Sequence, residues 1–355
     1  MTVIGIDAHK RTHTLVAVDP GGRKLAAKTV NATSAGHFLA LRWALTQFGA
    51  EILFGVEDTR AMTARLERDL IDAGQQVVRV PTQMVARQRH TGRERGKSDP
   101  IDALAVARAV LSHPDLPVAR HHQWSRDIKL LVDRRDDLLQ HRVAMTNRLL
   151  WRLHELDPTY TVKSGALNWR VNQDAVADWL RGQPGVLAEV ARAELADITA
   201  VSPEIAALER DLAKKVLDAV PTLFQLHGCG SLTAARIVAE VADIRRFKSE
   251  AAFARYAGLA PVPQSSGATT GRHRAYRGGN RALNAAIHRV AMGQIMKRGP
   301  AVDDYQRRRE TESHGTAIKR IKRRIARSIY NRLRADLPEL PVTTAKGQVT
   351  KPTNG

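Results

Sequence analysis

The chain opens with a short apolar run that ends on a carboxylate. Thr2-Val3-Ile4-Gly5-Ile6 has the pattern of a buried strand, and Asp7 follows it directly. A carboxylate near the buried end of a sheet needs a partner or an opening into a cleft. His13–Asp19 alternates and predicts a second strand, and Pro20-Gly21-Gly22 is a turn signal before a third strand at Arg23–Val30. A helix over Ser34–Phe48, a strand over Glu51–Glu57, a helix over Ala61–Ala73 and a strand over Gln76–Val80 follow. An antiparallel meander leading into βαβ units is the order of a ribonuclease-H-like fold, and it defines an α/β domain at residues 1–115.

Beyond this domain the pattern turns helical. Ile128, Leu131, Val132, Leu138, Leu139, Val143, Leu149, Leu150, Leu153 and Leu156 recur at helical spacing until Asp157-Pro158 ends the run. A second helical stretch covers roughly 174–201, with an interruption near Gly182–Gly185, and Ser202-Pro203 reads as the start of a third. Residues 116–220 therefore read as an antiparallel helical, coiled-coil arm or as an ordinary helical core; an arm would supply dimer contacts. Residues 221–335 form a further, mainly helical unit. Within it Leu226-His227-Gly228-Cys229-Gly230 reads as a helix-hairpin-helix-like turn able to hold a phosphate, or as a plain corner between helices. The tail over 336–355 is polar and proline-containing, the composition of a disordered segment.

Charge narrows the partner class. Over 355 residues, 56 Lys and Arg stand against 36 Asp and Glu, a net charge of +20, which favours a polyanion, nucleic acid before an acidic membrane. Ile318, Ile321, Ile325, Ile329 and Leu333 give one apolar face to a segment that also carries Arg320, Arg323, Arg324 and Arg327, a helix that can pack on a domain and show charge to phosphates. The single cysteine, Cys229, excludes an internal disulfide and a cysteine zinc cluster and fits a reducing cytoplasm. The first residues lack the pattern of a signal peptide, and no apolar run reaches the roughly 20 residues that span a bilayer.

Four carboxylates suggest chemistry. Asp7 and Glu57 each end a strand, and Asp99 and Asp102 lie three apart where a helix begins. Brought together, they are oxygen ligands for a hard cation, Mg²⁺ or Mn²⁺, of the kind that assists phosphoryl transfer. The plainer readings are an N-cap with an acidic first turn for Asp99-Pro100-Ile101-Asp102 and a surface ion pair for Glu57. Much later, residues 264–272 are small, polar and glycine-containing, with Arg272, Arg274, Arg277 and Arg281 within or just beyond them. Such a loop can bring a hydroxyl to a phosphodiester and hold its oxygens, or merely touch DNA.

Ile4-Gly5-Ile6-Asp7, Val56-Glu57, Lys97-Ser98-Asp99-Pro100-Ile101-Asp102-Ala103, and Gly258-Leu259-Ala260-Pro261 leading to Ser265-Ser266-Gly267 resemble the DEDD transposases of the insertion-sequence family called IS-one-ten. The resemblance runs from residue 1 to about residue 335. It implies a RuvC-like N-terminal domain, a coiled-coil linker and a C-terminal transposase domain with a catalytic serine. By position the quartet would be Asp7, Glu57, Asp99 and Asp102, and the nucleophile Ser266, with Ser265 its neighbour. The resemblance further implies a structured noncoding guide RNA that pairs with donor and target DNA, and dimers assembling into a tetramer. Three functions remain open: an RNA-guided DNA recombinase that forms a 5′-phosphoserine link, a RuvC-like junction nuclease that uses water, and a non-catalytic nucleic-acid-binding protein.

Overall fold

A computed structural model describes residues 1–57, 60–91, 98–114, 116, 118–119, 123–263, 273–275 and 279–336. The chain divides into two compact units, one formed by Met1–His122 with Ala242–Arg281, the other by Gln123–Val241 with Ala282–Gly355.

The first unit contains a five-stranded sheet. Its elements are β1 (Thr2–Ala8), β2 (Thr12–Val18), β3 (Lys24–Asn31), α1 (Ser34–Phe48), β4 (Ile52–Glu57), α2 (Arg60–Asp72), β5 (Gln76–Val80), α3 (Thr82–Thr91) and α4 (Asp99–Ser112). The sheet order is β3-β2-β1-β4-β5, with β1–β3 antiparallel and β4 and β5 parallel to β1. This is the mixed sheet that the strand order in the sequence predicts.

Strands β1, β2, β4 and β5 alternate between two cores, while β3 is mostly exposed and adds only Val30 to the first. Ile4, Ile6, Leu15, Ala17, Phe54 and Val56 pack with Ala40, Ala44, Leu66 and Leu70 of α1 and α2. Val3, Val16, Val18, Val78 and Val80 pack with Ala103, Val106, Ala107 and Val110 of α4. Two glycines let α4 lie this close. A Cβ on Gly5 would stand 2.1 Å from the Ala103 carbonyl oxygen and 2.4 Å from the Ala107 nitrogen, and one on Gly55 would meet Val110 at 2.6 Å. Helix α4 is thereby held against the β1–β4 seam with its first turn beside the strand ends.

The second unit is helical. It contains α5 (Gln123–Leu156), α6 (Arg170–Arg181), α7 (Gly185–Ala219), α8 (Pro221–Phe224) and α9 (Ser231–Val241). After α10 (Glu250–Tyr256) and the β6–β7 hairpin (Pro261–Pro263 and His273–Ala275), which belong to the first unit, come α11 (Arg281–Met296), α12 (Val302–Arg309) and α13 (His314–Asp336). Helices α5 and α7 run antiparallel, since Arg134 pairs with Glu204, Arg135 with Glu209 and, further along α5, Arg152 with Glu194.

Two boundaries differ from the sequence expectation. Ala242–Arg281 groups with the first unit and not with the rest of 221–335, through contacts distant in sequence. Ser202-Pro203 does not start a helix; Pro203 lies inside α7. Ala188, Ala191, Leu195, Ile198, Ile205, Leu212 and Val216 make a continuous buried seam on either side of it. That burial outweighs the roughly 3 kcal/mol by which an interior proline disfavours a helix. The Ser202 hydroxyl donates to the Ile198 carbonyl at 2.7 Å beside the interruption. Among the described residues no helix is long and apolar enough to cross a membrane. The tail beyond 336 lies outside the described residues.

Candidate metal and nucleic-acid site

Asp7 follows Ile6, which pairs with Val56 in the parallel β1–β4 ladder, so Asp7 and Glu57 leave the sheet side by side. Both have the parity of Gly5 and Gly55 and face α4. Asp99 and Asp102 occupy the first turn of α4, where the helix dipole stabilises a carboxylate by about 0.3–1 kcal/mol. Ser98 sits at the N-cap position without a side-chain capping bond, so neither aspartate is the cap that the plainer reading proposed.

The structure brings the four carboxylates together through two basic side chains that the sequence reading missed. The His9 Nε2 lies 3.0 Å from Asp7 Oδ2 and 3.3 Å from Asp99 Oδ1. The Arg89 guanidinium, on α3, stands 2.6 Å from Asp102 Oδ1 and 4.0 Å from Glu57 Oε2. The Arg89–Asp102 contact is an ion pair rather than a hydrogen bond, because its close approach lacks hydrogen-bond alignment. His9 had a signal, since residues two apart at a strand end share a face with Asp7. Arg89 had none; it is one arginine among many, on a polar helix without apolar rhythm.

Burial dominates the electrostatics of Asp7. Desolvation pushes its carboxyl above the usual aspartate range; His9 opposes this, while the charges of Asp102 and Asp99 reinforce it. One oxygen or nitrogen each from Asp7, His9 and Asp99 lie within 4.8 Å of one another, a span that one cation could bridge. The donor set fits a divalent metal: hard oxygen ligands, one imidazole, and an acid whose crowding by like charges a cation would relieve.

The described residues nominated for nucleic acid fall on several elements. Gly228 has φ +81° and packs where a Cβ would stand 2.8 Å from the Val290 carbonyl oxygen of α11, while Gly230 precedes α9 and is exposed. Arg281 begins α11 and is exposed. On α13, Arg320 pairs with Glu312 at 2.9 Å and Arg324 with Asp304 at 3.1 Å; Arg323 is half-buried and Arg327 exposed. Arg274 falls in β7. Ser265, Ser266, Arg272 and Arg277 lie outside the described residues, in segments that join or follow β6 and β7. Cys229 is buried, with its thiol pushed up to about 12 chiefly by desolvation, the state of an inert core side chain.

Residues 4–158 match a family model described as a transposase, of the DEDD IS110 type, and residues 220–307 match one described as the transposase IS116/IS110/IS902 family. The 44.8 kDa protein of insertion element IS116 from Streptomyces clavuligerus is 26% identical over 96% of this chain and 97% of its own length. The 43.6 kDa protein of IS110 from Streptomyces coelicolor is 24% identical, over 93% of each chain. The 42 kDa protein of IS900 from Mycobacterium paratuberculosis is 23% identical, over 96% of this chain and 97% of that one. Among solved structures, RuvC of T. thermophilus in complex with a Holliday junction substrate superposes with a TM-score of 0.27 at 17% identity, covering 32% of this chain and 94% of RuvC.

Proposed function

We propose that this chain, which matches the IS110 and IS116/IS110/IS902 transposase models over residues 4–158 and 220–307, cuts and rejoins DNA at the carboxylate site, guided by a structured noncoding RNA. The observation that carries this reading is the convergence of Asp7, Glu57, Asp99 and Asp102 from β1, β4 and α4. Asp7 and Asp99, with His9, and Glu57 and Asp102 beside them, would hold Mg²⁺ or Mn²⁺. Such a cation, when bound, neutralises charge on a phosphodiester during transfer.

The nucleophile of this proposal is Ser266. Its Oγ would form a bond to the scissile phosphorus, giving up its proton, as the bond to the 3′ oxygen breaks; the DNA is left with a free 3′ hydroxyl and a 5′ phosphoserine. A 3′ hydroxyl of the partner duplex would then attack that phosphorus and release the serine. The phosphodiester bond energy is conserved throughout, so no ATP is needed, and the sequence has no P-loop to bind it. Arg272, Arg274, Arg277 and Arg281 would hold the phosphate oxygens. Support for the serine comes from the resemblance of Ser265-Ser266-Gly267 to the family's motif and from its place in the chain, between β6 and β7.

The rest of the proposal concerns assembly. Donor and target duplexes and the guide RNA would contact the Gly228–Gly230 turn, read as helix-hairpin-helix-like, and Arg320, Arg323, Arg324 and Arg327 of α13. Domains at 1–115, 116–220 and 221–335 would serve as RuvC-like catalyst, coiled-coil arm and serine-bearing transposase domain, and dimers built through the arm would pair into a tetramer in the cytoplasm. The test is cleavage of a duplex spanning the element end, with Mg²⁺ and co-purified RNA. Ser266→Ala should abolish both cleavage and the covalent protein–DNA adduct. Cleavage retained in that variant would replace the serine mechanism with metal-assisted hydrolysis by water, and cutting unaffected by ribonuclease would remove the guide.

A further inference from the structure

Helix α13 turns most of its charge outward, but Lys322 points in. It is 9% exposed, and its ammonium donates to the Asn284 side-chain oxygen on α11 at 2.5 Å. Among the described residues it has no carboxylate partner. By contrast, Arg320 and Arg324 on the same helix are answered by Glu312 and Asp304.

Among the described residues, the charges that act on Lys322 and on His288 are positive. Lys319 lies one turn earlier on α13, and His288 lies one turn beyond Asn284 on α11. Burial pushes the Lys322 ammonium below its usual range, with Lys319 adding to the effect. Burial likewise lowers the His288 imidazole, with Lys322 and then His314 adding to it. An ionised group taken out of water with neither a counter-charge nor a full set of hydrogen bonds is costly and is not retained for packing alone. A neutral Leu or Met would fill the same seam.

We propose that Lys322, His288 and Lys319 form a binding site for one phosphate group in the α11–α13 seam, with Asn284 fixing the Lys322 ammonium. Lysine serves there as a point charge and imidazole as a directional donor. His288 is exposed, so the site opens to solvent at that edge. Free phosphate and a phosphodiester in a nucleic-acid backbone share this chemistry, and two arms of one experiment separate them.

In the first arm, the Lys322 side-chain NMR signals are followed while inorganic phosphate replaces chloride at constant ionic strength. A saturable shift that His288→Ala weakens at least about threefold is expected; this arm does not depend on the transposition reading. In the second, duplex affinity is measured against salt for the wild type, Lys322→Gln, His288→Ala and, as a control for simple charge loss, Lys24→Gln. Losing one backbone contact reduces the slope of log affinity against log salt by about 1. That reduction in Lys322→Gln and His288→Ala, but not in Lys24→Gln, assigns the phosphate to the nucleic-acid backbone. A saturable NMR shift with unchanged slopes assigns it to free phosphate. No saturable shift, together with unchanged slopes, overturns the site. If Lys322→Gln does not fold, His288→Ala carries both arms alone, because that side chain is exposed.

Discussion

Asp7 on β1 and His13 on β2 are both buried in the same sheet, one facing α4 and the other α1, and they meet opposite surroundings. His13 Nε2 lies 3.1 Å from His37 Nε2, and His37 Nδ1 lies 2.6 Å from Asp69. Burial acts to raise the Asp69 carboxyl, but hydrogen bonds from His37 and Ser34 and the charges of His37 and Arg65 outweigh it and hold the group low. Nearby, Glu67 is fully buried and bound by Arg79 through two contacts of 2.8 and 2.9 Å. On the α4 face, burial is joined by like charges, Asp102 and Asp99, and the Asp7 carboxyl rises. One face answers its charges within the chain, as structural networks do. The other sets Asp7, Asp99, Asp102 and Glu57 beside one another, with His9 and Arg89 as their basic neighbours among the described residues. The crowding of like charges around Asp7 is what the proposed cation site rests on.

The largest effects should separate activity from stability. Asp7→Asn is expected to reduce strand cleavage on the order of 10³-fold, while its melting temperature in EDTA stays equal to or above that of the wild type. A large drop in melting temperature would place Asp7 among the structural acids. Arg79→Met on the other face should do the reverse. It strands a buried carboxylate and should cost about 3–5 kcal/mol in denaturant unfolding, with cleavage intact under conditions where the variant is folded.

The pH dependence of stability should also differ between the faces. Burial, with the His37 charge next in weight, lowers the His13 imidazole to about 4 from 6.5, so between those values the unfolded chain binds the extra proton. Its contribution is therefore present above 6.5 and fades as pH falls toward 4, by roughly 3 kcal/mol in all. Asp7 has the opposite sign: its raised carboxyl keeps the proton longer when folded, so in metal-free protein stability falls as pH rises above 3.8 through the raised range. Unfolding free energies of His13→Gln and Asp7→Asn across this window test both slopes, and equal slopes would dissolve the contrast.

Gly5→Ala should damage both properties. Its Cβ would stand 2.1 Å from the Ala103 carbonyl, so α4 must move away from β1 and take Asp99 and Asp102 with it. A stability loss of about 1–3 kcal/mol, together with weaker cation binding, is expected. Smallest at the carboxylate site is Pro203→Ala in α7, which should stabilise the helical unit by up to about 3 kcal/mol in thermal melts and leave that site unchanged.

The sheet was legible because buried strands write their apolar runs locally, as in Thr2–Asp7 and Glu51–Glu57. The positions of Asp7, Glu57, Asp99 and Asp102 were legible for a related reason, since strand ends and a helix start announce where a carboxylate emerges. Arg89 was hidden because α3, Thr-Gln-Met-Val-Ala-Arg-Gln-Arg-His-Thr, carries no helical apolar stripe. Pro203 misled because its local signal yields to a seam with α5, and Lys322 was hidden among outward charges because its burial depends on α11, about forty residues away. The grouping of Ala242–Arg281 with the N-terminal sheet rests on contacts distant in sequence, which no local pattern records.

The most direct test of the crowded carboxylates is Mn²⁺ binding, followed by electron paramagnetic resonance as the ion titrates into the wild type, Asp7→Asn and Asp102→Asn. The site predicts saturable binding to the wild type that weakens at least about tenfold in each variant, by analogy with the 10–100-fold losses seen when metal sites are altered. Mn²⁺ affinity unchanged in both variants would contradict it.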